Sequence, residues 1–215
     1  MPCIALELTF IRRDPAFLVV EKPGGLLAVP GRGPDKQDCV VTRLKRMFPQ
    51  IISQPAVHRL DMYTSGLIVV AVTRDAHRHL CRQFEQRRVG KRYIALLEGI
   101  VGEEAGEIHL PFRLDPANRP YQIHDPLHGR MGVTRWRRLA VADGRTRIEF
   151  TPLTGRTHQL RLHAAHRLGL GFPIVGDHLY GNGREGERML LHASHLAFAH
   201  PSTGEPIRLD SPAPF

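Results

Sequence analysis

The stretch HRLDMYTSGLIVVA, residues 58–71, joins two unlike halves. His58, Arg59 and Asp61 are polar or charged, Thr64-Ser65-Gly66 reads as a turn, and an unbroken apolar run follows to Val72. A continuous run of that length bounded by a turn suits a strand covered on both faces. Asp61 then stands at the mouth of a buried strand. Burial alone would raise its pKa, whereas a nearby cation would keep it ionised and able to act as a nucleophile or base. Alone, an aspartate before a turn is an ordinary cap or turn residue.

Working outward, Phe17 to Val20 reads as a second short buried strand closed by Glu21-Lys22-Pro23-Gly24-Gly25. Residues 30–38 form a polar loop, and Val40 to Phe48 suit a short helix. Asp75 to Arg88 is the clearest helix, with Leu80 and Phe84 on one face and Arg74, Arg78 and Arg82 on another. Tyr93 to Glu98 is a strand closed by Gly99. Residues 113–132, with three prolines and two glycines, read as a long irregular loop. Val133 to Val141 and Thr146 to Pro152 flank Asp143-Gly144, a hairpin signal. Thr157 is placed to cap a helix running to about His166. A glycine-rich loop covers residues 176–186, Met189 to Ala199 is a strand, and Pro201 to Gly204 turns into a last short strand. Strands with a few helices between them indicate an α+β (mixed α/β) fold, and 215 residues suit a single domain over 1–215.

The 30 Lys and Arg against 21 Asp and Glu give a net charge of +9. Between residues 74 and 92, seven basic side chains face two acids, which permits a stripe that tracks phosphates. Arginine's planar fork matches phosphate and its face stacks on bases. Cys3, Cys39 and Cys81 are too far apart for a paired motif, so the chain suits a reducing, cytoplasmic compartment. MPCIALELTFIRRDP is not a signal peptide, and no apolar run approaches the ~20 residues of a membrane helix. The 13 histidines, with groups at His158, His163 and His166 and at His192, His195 and His200, raise a metal reading. No His-Glu-x-x-His pair supports it, and no cysteine lies near them. Neither a GxxxxGK loop nor a GxGxxG turn is present, so neither a metal nor a nucleotide cofactor is expected.

The same residues carry a resemblance. HRLDMYTSGLIVVA resembles the catalytic motif of the RluA family of pseudouridine synthases. FLVVEKPGG (17–25) is similar to that family's opening Lys-Pro motif, RVGKRYIALLEG (88–99) to its tyrosine motif, and LTGRTHQLRLH (153–163) to its arginine motif. PIVGDHLYG (173–181) and LHASHLAFAHP (191–201) resemble its late blocks. The blocks occur in the family's order and cover almost the whole chain.

The resemblance implies a pseudouridine synthase fold, a largely antiparallel central sheet flanked by helices and loops around a catalytic cleft. It implies Asp61 as the essential aspartate, Tyr93 as the tyrosine that packs on the target base, and Arg161 as the basic residue that pairs with the aspartate. Arg59 matches an arginine that helps extrude the nucleotide, and His58, Lys91, Arg92 and Arg156 complete the expected RNA-contacting set. Asp61 would either add to the sugar carbon or assist formation of a glycal. No cofactor is implied. The Lys-Pro motif begins near residue 17, so the chain is expected to lack a separate N-terminal RNA-binding module and to act as a monomer, like the short members of the family. Those act on stem-loops of large-subunit rRNA and of tRNA anticodon arms. Gly129-Arg130-Met131-Gly132-Val133-Thr134 departs from the family's usual Gly-Lys sequence there, and arginine for lysine changes phosphate geometry. The competing reading is an RNA-binding or RNA-folding protein on a synthase scaffold.

Overall fold

A computed structural model describes residues 8–215; Cys3, with the rest of residues 1–7, lies outside the described residues. In chain order the elements are β1 (Thr9–Arg13), β2 (Phe17–Lys22), α1 (Val40–Met47), β3 (Ser65–Ala71), α2 (Arg74–Glu85), β4 (Gly90–Leu97) and β5 (Ala105–Leu114). There follow β6 (Gln122–His124), β7 (Arg130–Ala142), β8 (Arg145–Pro152), α3 (Gln159–Ala165), β9 (Leu191–Ala199) and β10 (Pro206–Asp210). The content is α+β, as expected. The chain divides into two compact units. The first runs to Lys91 and resumes at His192–Pro214; the second is Arg92–Leu191 with Phe215.

In the first unit β1, β2 and β3 pair antiparallel, β3 meets β9 in parallel at Ser65–Gly66, and β10 returns antiparallel along β9. The apolar runs of β2 and β3 are covered on both faces, with Phe17 to Val20 and Leu67 to Ala71 at most 3% exposed. Ala76 and Leu80 of α2 cover one face, packing with Phe17, Val19, Leu67 and Val69. Thr73 caps α2 by accepting the Ala76 amide proton at 3.2 Å. The helix stops at Glu85, three residues before the expected end, because Arg87 takes a left-handed backbone (φ 57°) that no helix can continue. The loop expected at 30–38 contains one 3₁₀ turn, Pro34–Lys36.

In the second unit β4, β8, β7, β5 and β6 pair in that order, all antiparallel. Asp143 (φ 52°) and Gly144 (φ 70°) both have positive φ, the turn that matches strand twist in a two-residue hairpin. Two expectations are corrected here. Residues 113–132 are not one irregular loop: Gln122, Ile123 and His124 pair with Leu114, Arg113 and Phe112. β5 buries Ile108, Leu110 and Phe112 on one face, so strand alternation prevailed over Pro111. Thr157 does not cap α3. His158 (φ 56°) occupies the cap position without a side-chain cap bond, and Gln159 ties down the preceding turn instead. Its Oε1 accepts from Arg156 N and Thr154 Oγ1, and its Nε2 donates to Val133 O and Thr134 Oγ1. Residues 159–164 of α3 are all buried, so the helix is core as well as motif.

Candidate active site

Asp61 begins a turn closed by Thr64 N–H donating to Asp61 O at 3.1 Å. The turn is clamped from β2. Lys22 Nζ donates to Met62 O at 2.8 Å, to Leu26 O at 2.7 Å and to Pro23 O at 2.9 Å, and Gly25 N–H also donates to Met62 O at 2.9 Å. Three carbonyls match the three protons of an ammonium. Lys22 is fully buried. Burial pushes its pKa down to about 7, and the charge of Asp61 pulls it back up. Glycine is favoured beside the clamp: Gly25 has φ 87°, and a Cβ at Gly24 would make a tight contact of 3.2 Å with Tyr63 O. Sequence reading quoted the Lys-Pro motif but assigned Lys22 no role. The signal was a lysine placed just after the apolar run Phe17 to Val20, where the strand meets the Pro23-Gly24-Gly25 turn.

The Thr-Ser-Gly turn is fixed by a second polar network. Ser211 Oγ donates to Glu21 at 2.7 Å, so it accepts from His192 Nε2 at 3.0 Å, and His192 Nδ1 therefore accepts from Ser65 Oγ at 2.9 Å. Gly66 (φ 108°) lets β3 approach β9 so closely that a Cβ would fall 2.4 Å from Ala193 O.

His58 is held inside the first unit. Its Nε2 accepts from Val69 N at 3.0 Å and its ring stacks on Phe84 at 4.5 Å. An accepting Nε2 requires a neutral ring, and burial, with the charge of Lys91, pushes its pKa down to about 3. The structure thus brings His58 and Lys91 within electrostatic reach, and burial also lowers the pKa of Lys91. Arg59 is exposed, as are Arg74, Arg78 and Arg82 on one side of α2; Arg78 pairs with Asp75 at 2.5 Å.

The other expected residues lie in the second unit. Tyr93 sits on β4 opposite Phe150, half-buried. Arg92, beside it, reaches Glu149 at 3.5 Å. Arg156 is exposed on the turn that Gln159 secures. Arg161 is 2% exposed on α3 and forms a two-pronged ion pair with Asp177, Nε to Oδ2 at 2.8 Å and Nη2 to Oδ1 at 2.6 Å. Asp177 also accepts the amide protons of Leu179 and Tyr180. Arg161 and these amides hold its carboxyl below the usual range against its own burial. Tyr180 lies under the guanidinium at 5.3 Å, and its hydroxyl bonds His158 Nδ1 at 2.9 Å and accepts from Gln122 N at 2.8 Å. Asp177 and Tyr180 were visible only as letters of the block PIVGDHLYG; nothing local marks Asp177 as the partner of a helix residue sixteen positions earlier.

The histidine groups have separate occupations. His192 bridges two serines, His195 bonds Asp210 at 2.6 Å, His200 bonds Asp14 at 3.1 Å, and His158 bonds Tyr180. Among the described residues no three of His, Cys, Asp or Glu are arranged to hold a metal ion. No described helix is long and apolar enough to cross a membrane.

Comparison with known proteins converges on one family. Residues 16–166 match the family described as RNA pseudouridylate synthase. The dual-specificity RNA pseudouridine synthase RluA of Yersinia pestis is 42% identical over 207 residues, covering 94% of this chain and 98% of that protein. The protein of the same name from Haemophilus influenzae is 42% identical over 218 residues, covering 100% and 97%. The solved structure of human RNA pseudouridylate synthase domain containing 1 is similar over all of this chain and 87% of its own, at 32% identity and a TM-score of 0.79. A second human structure, domain containing 4, shares the fold at 24% identity and a TM-score of 0.74. The chain belongs to the RNA pseudouridine synthases, isomerases that act on uridine in RNA.

Proposed function

We propose that this chain is a dual-specificity enzyme acting on stem-loops of large-subunit rRNA and of tRNA anticodon arms, with Asp61, Tyr93 and Arg161 as its catalytic residues. The observation that carries the assignment of Asp61 is the Lys22 clamp, a buried cation that holds the Met62 carbonyl and feels the Asp61 charge. Such a clamp fixes the main chain that carries the Asp61 carboxylate, which is what a reacting group needs and a surface turn does not.

The reaction breaks the uridine N1–C1′ bond, turns the base and forms a C5–C1′ bond; C5 loses its proton and N1 gains one. Atoms and oxidation level are conserved, so no redox cofactor is called for. The base cannot turn inside a stack and must be extruded, at a cost of a few kcal/mol that is least in a loop. Asp61 as carboxylate serves either addition to C1′ or removal of a sugar proton to give a glycal. Tyr93 stacks on the uracil, Arg161 contributes positive charge while paired with Asp177, and Arg59 fills the space the base leaves. Lys91, Arg92 and Arg156 contact phosphates. His58 is neutral, so it contributes to RNA contact by hydrogen bonding and by fixing the start of the Arg59–Asp61 segment. The enzyme acts as a cytoplasmic monomer on these RNAs.

The test maps pseudouridine at single-nucleotide resolution in unmodified transcripts of both stem-loops, with wild type and Asp61→Asn in parallel. The expected result is pseudouridine with wild type only and RNA affinity within about threefold between the two. Turnover by Asp61→Asn at about a tenth of the wild-type rate or more would refute the assignment.

A further inference from the structure

The turn after β6 carries an apolar side chain that serves neither the fold nor the residues assigned above. Asp125 builds this turn. Its Oδ1 accepts the amide protons of Leu127 at 3.0 Å and His128 at 2.9 Å, and its carbonyl accepts that of Gly129 at 2.9 Å. Its amide donates to Pro111 O at 3.0 Å, and Arg113 Nε donates to Oδ2 at 2.5 Å. Gly129 lies so close to β5 that a Cβ there would come within 2.6 Å of Phe112 N. Arg113 and the two amides hold the Asp125 carboxyl far below the usual carboxylate range, so the turn is built throughout the neutral range.

At its tip Leu127 is 86% exposed, the most exposed large apolar side chain among the described residues. Met131, just inside β7, is 46% exposed. His128 and Arg130 beside Leu127 are exposed, as is Arg119 on the preceding loop. A leucine held out in water contributes nothing to folding. A turn already ordered by its own hydrogen bonds loses little entropy when it docks. Apolar tip, flanking arginines and hydrogen-bonded base together match an unstacked nucleotide, whose base offers a flat apolar face beside phosphate charge.

The turn also shares a scaffold with Arg161. Tyr180 bonds β6 through the Gln122 amide, touches the Tyr121 ring at 5.9 Å, and donates its own amide proton to Asp177, the partner of Arg161. A contact made by the turn is thus registered against α3.

We infer that Leu127 is an RNA wedge: its side chain packs on an unstacked base of the substrate loop, with Arg130 and His128 on the neighbouring phosphates. This rests on structured RNA being the substrate.

The test compares wild type, Leu127→Ser and Leu127→Met on the two stem-loop transcripts, measuring kcat/KM, and Kd across a salt series. Leu127→Ser is expected to lose roughly tenfold in kcat/KM and Kd, or about 1.4 kcal/mol. Its slope of log Kd against log salt should equal that of wild type, because no charge is removed. Its melting temperature should be unchanged, and Leu127→Met should stay within about twofold of wild type. Wild-type kcat/KM and Kd for Leu127→Ser on both transcripts would overturn the inference. So would a change of oligomeric state in that variant with RNA binding intact, which would mean a second copy covers the leucine. If wild type itself forms no pseudouridine in either transcript, the substrate assignment falls and the wedge falls with it. An active wild type with an unaffected Leu127→Ser sinks the wedge alone.

Discussion

Asp177→Asn tests whether the Arg161 ion pair organises α3. The side chains are 3% and 0% exposed, and two hydrogen bonds of 2.6 and 2.8 Å join them. Asparagine keeps the shape but removes the charge, and whichever way the amide lies, only one oxygen can face two guanidinium donors and two turn amides. Removing one partner of a buried pair leaves an uncompensated charge in a dry site, a loss of about 3–5 kcal/mol. At about 2–4 °C per kcal/mol for a chain of this size, the melting temperature falls by about 6–20 °C. The Asp177 carboxyl titrates below its ordinary 3.8, so its contribution is complete above that value and is lost as pH falls through the lowered pKa. Urea unfolding at pH 7.5 therefore reads the full effect, as a shift of midpoint at constant slope. The double variant Arg161→Met, Asp177→Leu should recover most of the stability, since a well-packed apolar pair does not need the charges. It should remain inactive. A loss below about 1 kcal/mol in Asp177→Asn would place the pair in the class of solvated surface bridges and refute the reasoning.

Two other perturbations separate positioning from folding. Lys22→Met keeps the stem of the buried side chain but withdraws the donor from Met62, Leu26 and Pro23. Displacing a reacting group by about 1 Å costs on the order of a hundredfold, so single-turnover rates should fall by about that factor with RNA affinity near wild type; an unchanged rate would remove Lys22 from the site. Acid should weaken the fold earlier than the carboxylates dictate. His163 is fully buried, neither ring nitrogen has a hydrogen-bond partner among the described residues, and burial with the charges of His109 and His166 pushes its pKa down to about 4. A depressed folded pKa means that its contribution is complete above about 6.5 and is lost as pH falls toward 4. Between pH 6.5 and 5 that amounts to about 2 kcal/mol, and His58, pushed down further to about 3, adds a share of the same sign and similar size. Unfolding midpoints at the two pH values should show it, and His163→Leu should flatten the dependence; an equally steep dependence in that variant would refute the role of His163.

The parts of the fold that were legible in the sequence are those written locally. Phe17 to Val20 and Leu67 to Ala71 are strands because nothing polar interrupts them, and Asp143-Gly144 is a turn because both residues tolerate positive φ. β6 was hidden because Pro116, Pro120 and Pro126 made 113–132 read as one loop, while pairing with β5 decided the outcome. Thr157 was a fair cap by composition, yet the chain turns into α3 through a left-handed His158 and a buried Gln159, a choice set by Val133 and Thr134 from another strand. Asp61, Tyr93 and Arg161 stand out in the sequence only as letters of ordered blocks, and what holds each in the fold does not. Lys22, Asp177 and the Ser65–His192–Ser211 network act through contacts whose partners are distant in sequence or main-chain carbonyls.

That difference has a physical cause. A buried lysine, a buried ion pair and a buried histidine relay each carry a desolvation cost that an apolar residue of the same size would avoid. Folding alone gives no reason to keep them. In this chain each one secures an irregular segment: Lys22 the Asp61 turn, His192 the Thr-Ser-Gly turn, and Asp177 the segment after α3. Irregular segments lack the repeating hydrogen bonds of helix and sheet, so their carbonyls and amides need individual partners. A charged donor or acceptor can satisfy several at once, three carbonyls for Lys22 and two amides with a guanidinium for Asp177. The result is loops whose main-chain groups are satisfied one by one, as pairing satisfies those of the strands. Rigid polar groups stabilise a developing charge without having to reorganise when it appears. The stability lost to burying these groups is thus the structural counterpart of a reaction that must hold a detached base and its sugar in register until they rejoin.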